Sequence, residues 1–192
     1  MVFQKPIALD PGVGGCSIAI AALQPADIIV STTTAFNSGA IRIGTRSLVS
    51  HAALYAGNGQ VIEAIGSGVV QRPIEIALAD DALAVAYRSP DLPATMANSI
   101  VVYAASKRGT PYSVAGALAS SNKIGCRVLG PRPSSFFCSQ LVIAAYASAG
   151  RPLTNAPPQC VTPEDVVTIA EHQLKYIGHL KGNAAWLPML SP

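Results

Sequence analysis

Residues 50–72 read SHAALYAGNGQVIEAIGSGVVQR, and they hold the densest strand signal in the chain. Ala52 to Ala56 is one apolar run, Val61 to Ile65 a second, and Val69 to Arg72 a third. Gly57-Asn58-Gly59 separates the first two runs and Gly66-Ser67-Gly68 the next two. Asn and Gly accept positive φ at little cost, so both separators predict hairpins. Leu83 to Arg88 adds a strand downstream, and Asp27 to Ser31 adds one upstream, entered from the Gln24-Pro25 turn. Together they predict a small, mostly antiparallel meander.

The first hairpin can close in two registers. With Asn58-Gly59 as a two-residue turn, Leu54 opposes Glu63, and alternation sends His51 and Glu63 to opposite faces. With 57–59 as a three-residue loop and Gly59 in a bulge, Ala53 opposes Glu63 instead. His51 then shares the face of Glu63 at a diagonal backbone separation of ~7–8 Å. This second register, or an equivalent bulge, is the expectation.

Outward from the hairpins the pattern turns helical. Pro93 to Arg108 carries Met96, Ile100, Val101 and Ala104 at helical spacing, with Gly109 as the stop. Phe136 to Ala149 reads as a buried helix, capped by Ser134 or Ser135 and ended by Gly150 and Pro152. Thr162-Pro163-Glu164-Asp165 is a helix start, with Thr as N-cap, Pro in the first turn and an acid three residues on. That helix runs to about Lys175, and Tyr176 to Leu180 returns as a strand. Thr34 to Ser47 reads as a short helix and loop, and 113–135 as a helical piece followed by a long loop. Residues 1–22 form an irregular lead-in to a single domain over 23–192.

Composition excludes several classes. Of the 192 residues 12% are charged and 50% hydrophobic, which rules out intrinsic disorder. The net charge of +3 comes from scattered Lys and Arg, so no nucleic-acid partner is expected. The apolar run from Phe136 to Ala149 is shorter than the ~20 residues a spanning helix needs, so no transmembrane segment is expected. Lys5, Pro6, Asp10 and Pro11 break the opening apolar run, which leaves no secretory signal pattern. The expectation is a polypeptide that is cytoplasmic as synthesised, and reaches the outside only through a dedicated secretion system.

The four cysteines are Cys16, Cys126, Cys138 and Cys160. None forms a C-x-x-C pair and no His stands at zinc-ligand spacing, so no metal site is expected. If one of them stays a free nucleophile, at most one disulfide can form. Cys138 is the candidate nucleophile, because the first turn of an apolar helix offers unpaired N–H groups and a dipole that favour a thiolate. Cysteine is equally at home as a small buried hydrophobe. His51 heads an apolar strand, where histidine is more often structural than catalytic. His172 falls mid-helix between Glu171 and Gln173, and His179 falls in an edge strand. Glu63 is surrounded by Val61, Ile62, Ala64 and Ile65, so it either faces water or is held by a partner. A histidine needing orientation is such a partner.

The stretch from Ser50 to Ala64, followed by Gly68-Val69, resembles the His/Glu half of permuted papain-like hydrolases of the NlpC superfamily, the YiiX-like group. Phe137-Cys138-Ser139-Gln140-Leu141-Val142 resembles the Cys half, and Gly109-Thr110-Pro111-Tyr112 the turn before it. Leu23 to Ile29 resembles the opening strand. The shared feature of highest specificity is order: His, then acid, then Cys. Ala26 stands where a Gly is usual and Gln140 where Glu is frequent.

The resemblance implies an α+β papain-like fold, a small antiparallel sheet packed against the nucleophile helix. It implies a cysteine amidase or endopeptidase with a Cys138-His51-Glu63 triad, Tyr112 lining the substrate site, and no cofactor. The implied substrate is an amide bond in bacterial cell-wall peptides (peptidoglycan). An exported antibacterial effector, with secretion machinery and an immunity protein as partners, reconciles that substrate with the N-terminus. Two alternatives stand beside it: a lipid ester hydrolase or acyltransferase of the same fold, and a binding domain without turnover.

Overall fold

The computed structural model describes residues 15–33, 49–120, 122, 126 and 134–182. The expected helix and loop over 34–47 lies outside these residues, as does most of the expected loop before residue 134. The strands are β1 (Ile28–Thr33), β2 (His51–Gly57), β3 (Gln60–Ile65), β4 (Gly68–Pro73), β5 (Asp81–Arg88) and β6 (Lys175–Lys181). The helices are α1 (Ile74–Ala77), α2 (Ala94–Ser106), α3 (Val114–Ser120), α4 (Cys138–Ser148) and α5 (Pro163–Gln173).

All six strands join one antiparallel sheet in the order β4-β3-β2-β1-β5-β6. The meander is therefore real for β1 to β4 but stops there. β5 crosses back to pair with β1, Val30 opposite Val85, and so makes β1 a central strand. Such a strand is buried on both faces, which is why Ile28-Ile29-Val30 is an unbroken apolar run rather than an alternating one.

Alternation sorts the sheet into two faces. Ile28, Val30, Leu54, Ile62 and Val85 belong to a core shared with Ile100 of α2, Leu141 and Tyr146 of α4, and Val166 and Val167 of α5. Ile29, Ala53, Tyr55, Val61 and Ala84 belong to a second cluster with Leu23, Ile74 and Leu78. Each fully buried aliphatic side chain of this kind contributes about 1.5–3 kcal/mol. α4 is buried along nearly its whole length, from Cys138 through Ile143 and again at Ala145 and Tyr146. Among the described residues no helix is long and apolar enough to cross a membrane.

Helix ends follow local chemistry. At the start of α5, Thr162 Oγ1 accepts from the Asp165 N–H at 3.1 Å while the Asp165 carboxylate accepts from the Thr162 N–H at 2.7 Å. This is the reciprocal cap that the sequence predicts. α4 differs from expectation: it starts at Cys138 with Phe137 as N-cap, not at a cap by Ser134 or Ser135. Gln140 Oε1 accepts from the Phe137 N–H at 3.4 Å, so the cap comes from within the helix.

Candidate functional site

The β2–β3 hairpin decides whether His51 and Glu63 can meet. Leu54 opposes Ile62 and Tyr55 opposes Val61, which sets Ala53 opposite Glu63. This is the expected register, reached by the equivalent bulge. Gly57 pairs with Gln60 around a two-residue Asn58-Gly59 turn, and the register shift falls at Ala56. Positive φ at Gly57, Asn58 and Gly59 (94°, 51° and 69°) is what the turn and bulge require. His51, two residues beyond Ala53, therefore shares the face of Glu63.

Their side chains close the gap. His51 Nε2 lies 2.5 Å from Glu63 Oε2. The other carboxylate oxygen, Oε1, accepts from Nε of Arg72. Arg72 stands two residues past Val70, which opposes Glu63 on β4, so it lies on the same face. Glu63 is 1% exposed, and the two cations explain how a carboxylate tolerates that burial. Burial alone would raise its pKa. The hydrogen bonds and charges of His51 and then Arg72 outweigh burial and hold it below the usual carboxylate range.

Cys138 completes the group from the helix side. Its thiol lies close enough to the His51 ring for each to shift the other's pKa, and the backbone N–H groups of Ala52 and Ser139 favour its charged form. With Nε2 engaged by Glu63, the imidazole nitrogen left for Cys138 is Nδ1. Burial opposes charge on both partners, yet their mutual attraction prevails. The thiol is driven below its ordinary value, and His51, held also by Glu63, is pushed up to about 10. Both shifts favour the thiolate and imidazolium forms of the pair. The first intrahelical bond of α4 runs from the Leu141 N–H to the Phe137 carbonyl at 3.1 Å, so the Cys138 N–H has no acceptor within the helix.

Tyr112 lies beside this group. It bridges Phe136, two residues before Cys138, with the Ser113 N–H on the Phe136 carbonyl at 2.9 Å and the Phe136 N–H on the Pro111 carbonyl at 3.0 Å. Burial, and then the negative charge of Cys138, push its hydroxyl pKa up, so it stays a phenol. The turn that carries Tyr112 is tied to β4. The Val69 N–H reaches the Thr110 carbonyl at 2.8 Å, and the Gly109 N–H reaches Val69 at 2.9 Å. Gly68 permits this approach, since a Cβ there would come within 2.7 Å of the Thr110 oxygen.

Sequence reasoning passed over two participants. Arg72 could have been found by carrying the strand register one hairpin further. Asp81, hydrogen-bonded by Ser31 and close enough to feel the charges of His51 and Glu63, could not, because β5 reaches that place only by crossing back to β1. His179 stays apart: it sits on β6, where its Nδ1 meets the Tyr176 hydroxyl. Cys126 and Cys160 form a disulfide, and Cys16 and Cys138 are free, which agrees with the limit of one bridge.

The chain is 29% identical to the probable lipoprotein peptidase YaeF of Escherichia coli strain K12, over an alignment of 195 residues that covers 83% of this chain and 71% of that protein. Among solved structures, the crystal structure of yiiX from Escherichia coli O157:H7, described as a metalloprotein of DUF1105, matches with a TM-score of 0.61 at 20% identity. That match covers 81% of this chain and 96% of the other, and it shows a shared fold. No protein-family model matches the chain. Among the described residues no group of three or more His, Cys, Asp or Glu side chains is arranged to hold a metal ion.

Proposed function

We propose that this chain is a cysteine hydrolase of papain-like, permuted type that cleaves an amide bond, with cell-wall peptides as its substrate class. The observation that carries the reading is the His51 ring, hydrogen-bonded to the Glu63 carboxylate and placed beside the Cys138 thiol. The name of YaeF, a probable lipoprotein peptidase, supports peptide rather than other acyl chemistry.

In this mechanism the Cys138 thiolate attacks the carbonyl carbon, and the carbonyl oxygen becomes an oxyanion that the Cys138 N–H can bind. Collapse breaks the C–N bond as His51 gives its proton to the leaving amine. The thioester then yields to water. His51 takes the water's proton, and the Cys138 thiolate leaves as the free acid is released. Glu63 keeps the imidazole in one orientation throughout, and Arg72 keeps Glu63 ionised. Tyr112 lines the acyl side. The Cys126–Cys160 disulfide supports work in an oxidising compartment, where cell-wall peptides are found.

Purified cell-wall peptide fragments incubated with the protein should gain one water per cleavage, with new amine and carboxyl ends visible by mass spectrometry. Cys138→Ala should abolish this. Product from phospholipid but not from peptide would replace the amide reading with the ester one. Product from neither would favour a binding domain.

A further inference from the structure

A row of polar side chains, one from each of the six strands, crosses the sheet on the face that carries His51. Arg72 on β4, Glu63 on β3, His51 on β2 and Ser31 on β1 follow one another, with Ser31 directly opposite His51. Asp81 on β5 and Lys181 on β6 complete it. Lys181 opposes Ala84, which itself opposes Ser31. The proposed mechanism uses the first three of these residues and gives no part to the rest.

Asp81 joins the row only because β5 is irregular. Strict alternation back from Ala84 would put Ala82 on the His51 face and Asp81 on the other. The register instead shifts between Thr32 and Thr33, so that Asp81, not Ala82, opposes Thr33. Thr33 is two residues beyond Ser31 and shares its face. Asp81 is thereby brought diagonal to Ser31, at a backbone separation of ~7–8 Å. Bulges beside active sites re-aim side chains in this way. The electrostatics agree with the placement. Burial pushes the Asp81 carboxyl up, the Ser31 hydroxyl and then His51 and Lys181 pull it down, and Glu63 adds to the rise. All four therefore lie within reach of it.

The row alternates in sign. On one flank of His51, Arg72 holds Glu63 and Glu63 holds the ring. On the other stand Ser31 and Asp81, with Lys181 behind them, its Nζ fixed on the Leu78 and Ala79 carbonyls. Cys138 is the titratable group that α4 sets against the ring, and Asp80, next to Asp81 in the chain, is exposed. Ser31 is buried and Asp81 half-buried, so water and salt screen the Asp81 charge poorly. We infer that Asp81, tethered by Ser31, is a positioning residue of this site, a second negative charge that holds the His51 imidazolium from the flank away from Glu63. The inference rests on the hydrolase reading for the use made of that imidazolium, which pairs the thiolate and then protonates the leaving amine.

The test reads His51 directly. Its imidazole ¹⁵N and ring-proton shifts are followed against pH in the full chain and in the Cys138→Ala form, where His51 titrates whether or not Cys138 is a nucleophile. Asp81→Asn keeps an acceptor for Ser31 and removes only the charge. It should lower the His51 midpoint by about 0.5–1 pH unit in both backgrounds, the effect of one charge at this range and partial burial. Asp81→Glu should restore most of that. Ser31→Ala keeps the charge but frees it, and should lower the midpoint by a smaller amount. A purely structural Asp81 would lower Tm and leave the midpoint in place. That result, or an Asp81→Glu form that titrates like Asp81→Asn, would overturn the inference. If Asp81→Asn does not fold, Ser31→Ala decides: a lowered midpoint supports the inference and an unchanged one overturns it. Alkylation of Cys138 at pH 6 tests the hydrolase reading separately, since a slow Cys138 would sink that reading and leave the His51 titration to decide Asp81.

Discussion

Glu63 meets Arg72 and His51 on separate oxygens, and this makes Arg72 more than a surface cation. Its guanidinium is the second source, after His51, of the pull that keeps the buried carboxyl ionised. Because the folded pKa lies below the unfolded value of ~4.3, the linked stability is present above that pH and is lost as pH falls through the folded value. Arg72→Ala should therefore move the acid-unfolding midpoint to higher pH, and lower stability near neutrality by about 1–2 kcal/mol, Arg72 being partly exposed. Arg72→Lys keeps the charge without the fork and should recover part of both. Circular dichroism against pH for the three proteins measures this, and an unchanged midpoint would deny Arg72 its role. Glu63 itself was legible in the sequence as an acid that either faced water or was held by a partner, and its 1% exposure selects the second. Arg72 was not, because an arginine ending an apolar run looks like a solvated strand end until the register is extended.

At the level of elements, the β3–β4 hairpin and the 109–112 turn act as one unit. Gly68 has φ +109° and a would-be Cβ contact of 2.7 Å to the Thr110 oxygen. Gly68→Val should cost about 1–3 kcal/mol through the backbone alone. It should also push the turn, and Tyr112 with it, away from Cys138. The expected kinetic signature is a KM increase larger than the fall in kcat, with Tm lowered; a KM that stays put would free Tyr112 from substrate binding. The β2–β3 hairpin shows how far spacing can carry a reading. Two glycines flanking Asn58 left two registers open, and a His and an acid that had to share a face chose between them. The bulge landing at Ala56 rather than Gly59 was beyond reach, since either absorbs the residue. Elements that depend on long-range pairing were less legible. β5 reads as a strand, but its place beside β1 follows from the tertiary sheet, and the four-residue α1 has no periodicity to betray it.

Over the whole molecule, the cysteines divide by position. Cys126 and Cys160 close a loop across a sequence separation of 34 and tie the segment before α4 to the one before α5. By the chain-entropy argument such a bridge contributes about 3–4 kcal/mol. Cys126→Ser with Cys160→Ser should lower the urea midpoint and, by releasing the unfolded chain, raise m; an unaltered midpoint would mean the bridge adds nothing. The sequence limited the number of bridges but not the partners, because three cysteines remained once Cys138 was set aside. Cys138 and Cys16 are then the free thiols, one 4% exposed and one on the surface.

That pair of thiols permits the most direct test of the thiolate–imidazolium pair. Limiting iodoacetamide is applied at pH 6, below the ~8.5 at which an ordinary thiol ionises, and labelled peptides are mapped by mass. Cys138 should be alkylated first despite its burial. Its rate should hold from pH 6 upward until the imidazolium is lost near the His51 value of about 10. His51→Ala should slow Cys138 at pH 6 and leave Cys16 unchanged. If Cys16 takes the label first at pH 6, or if His51→Ala leaves the Cys138 rate as it was, the Cys138–His51 pair does not exist as a reactive unit.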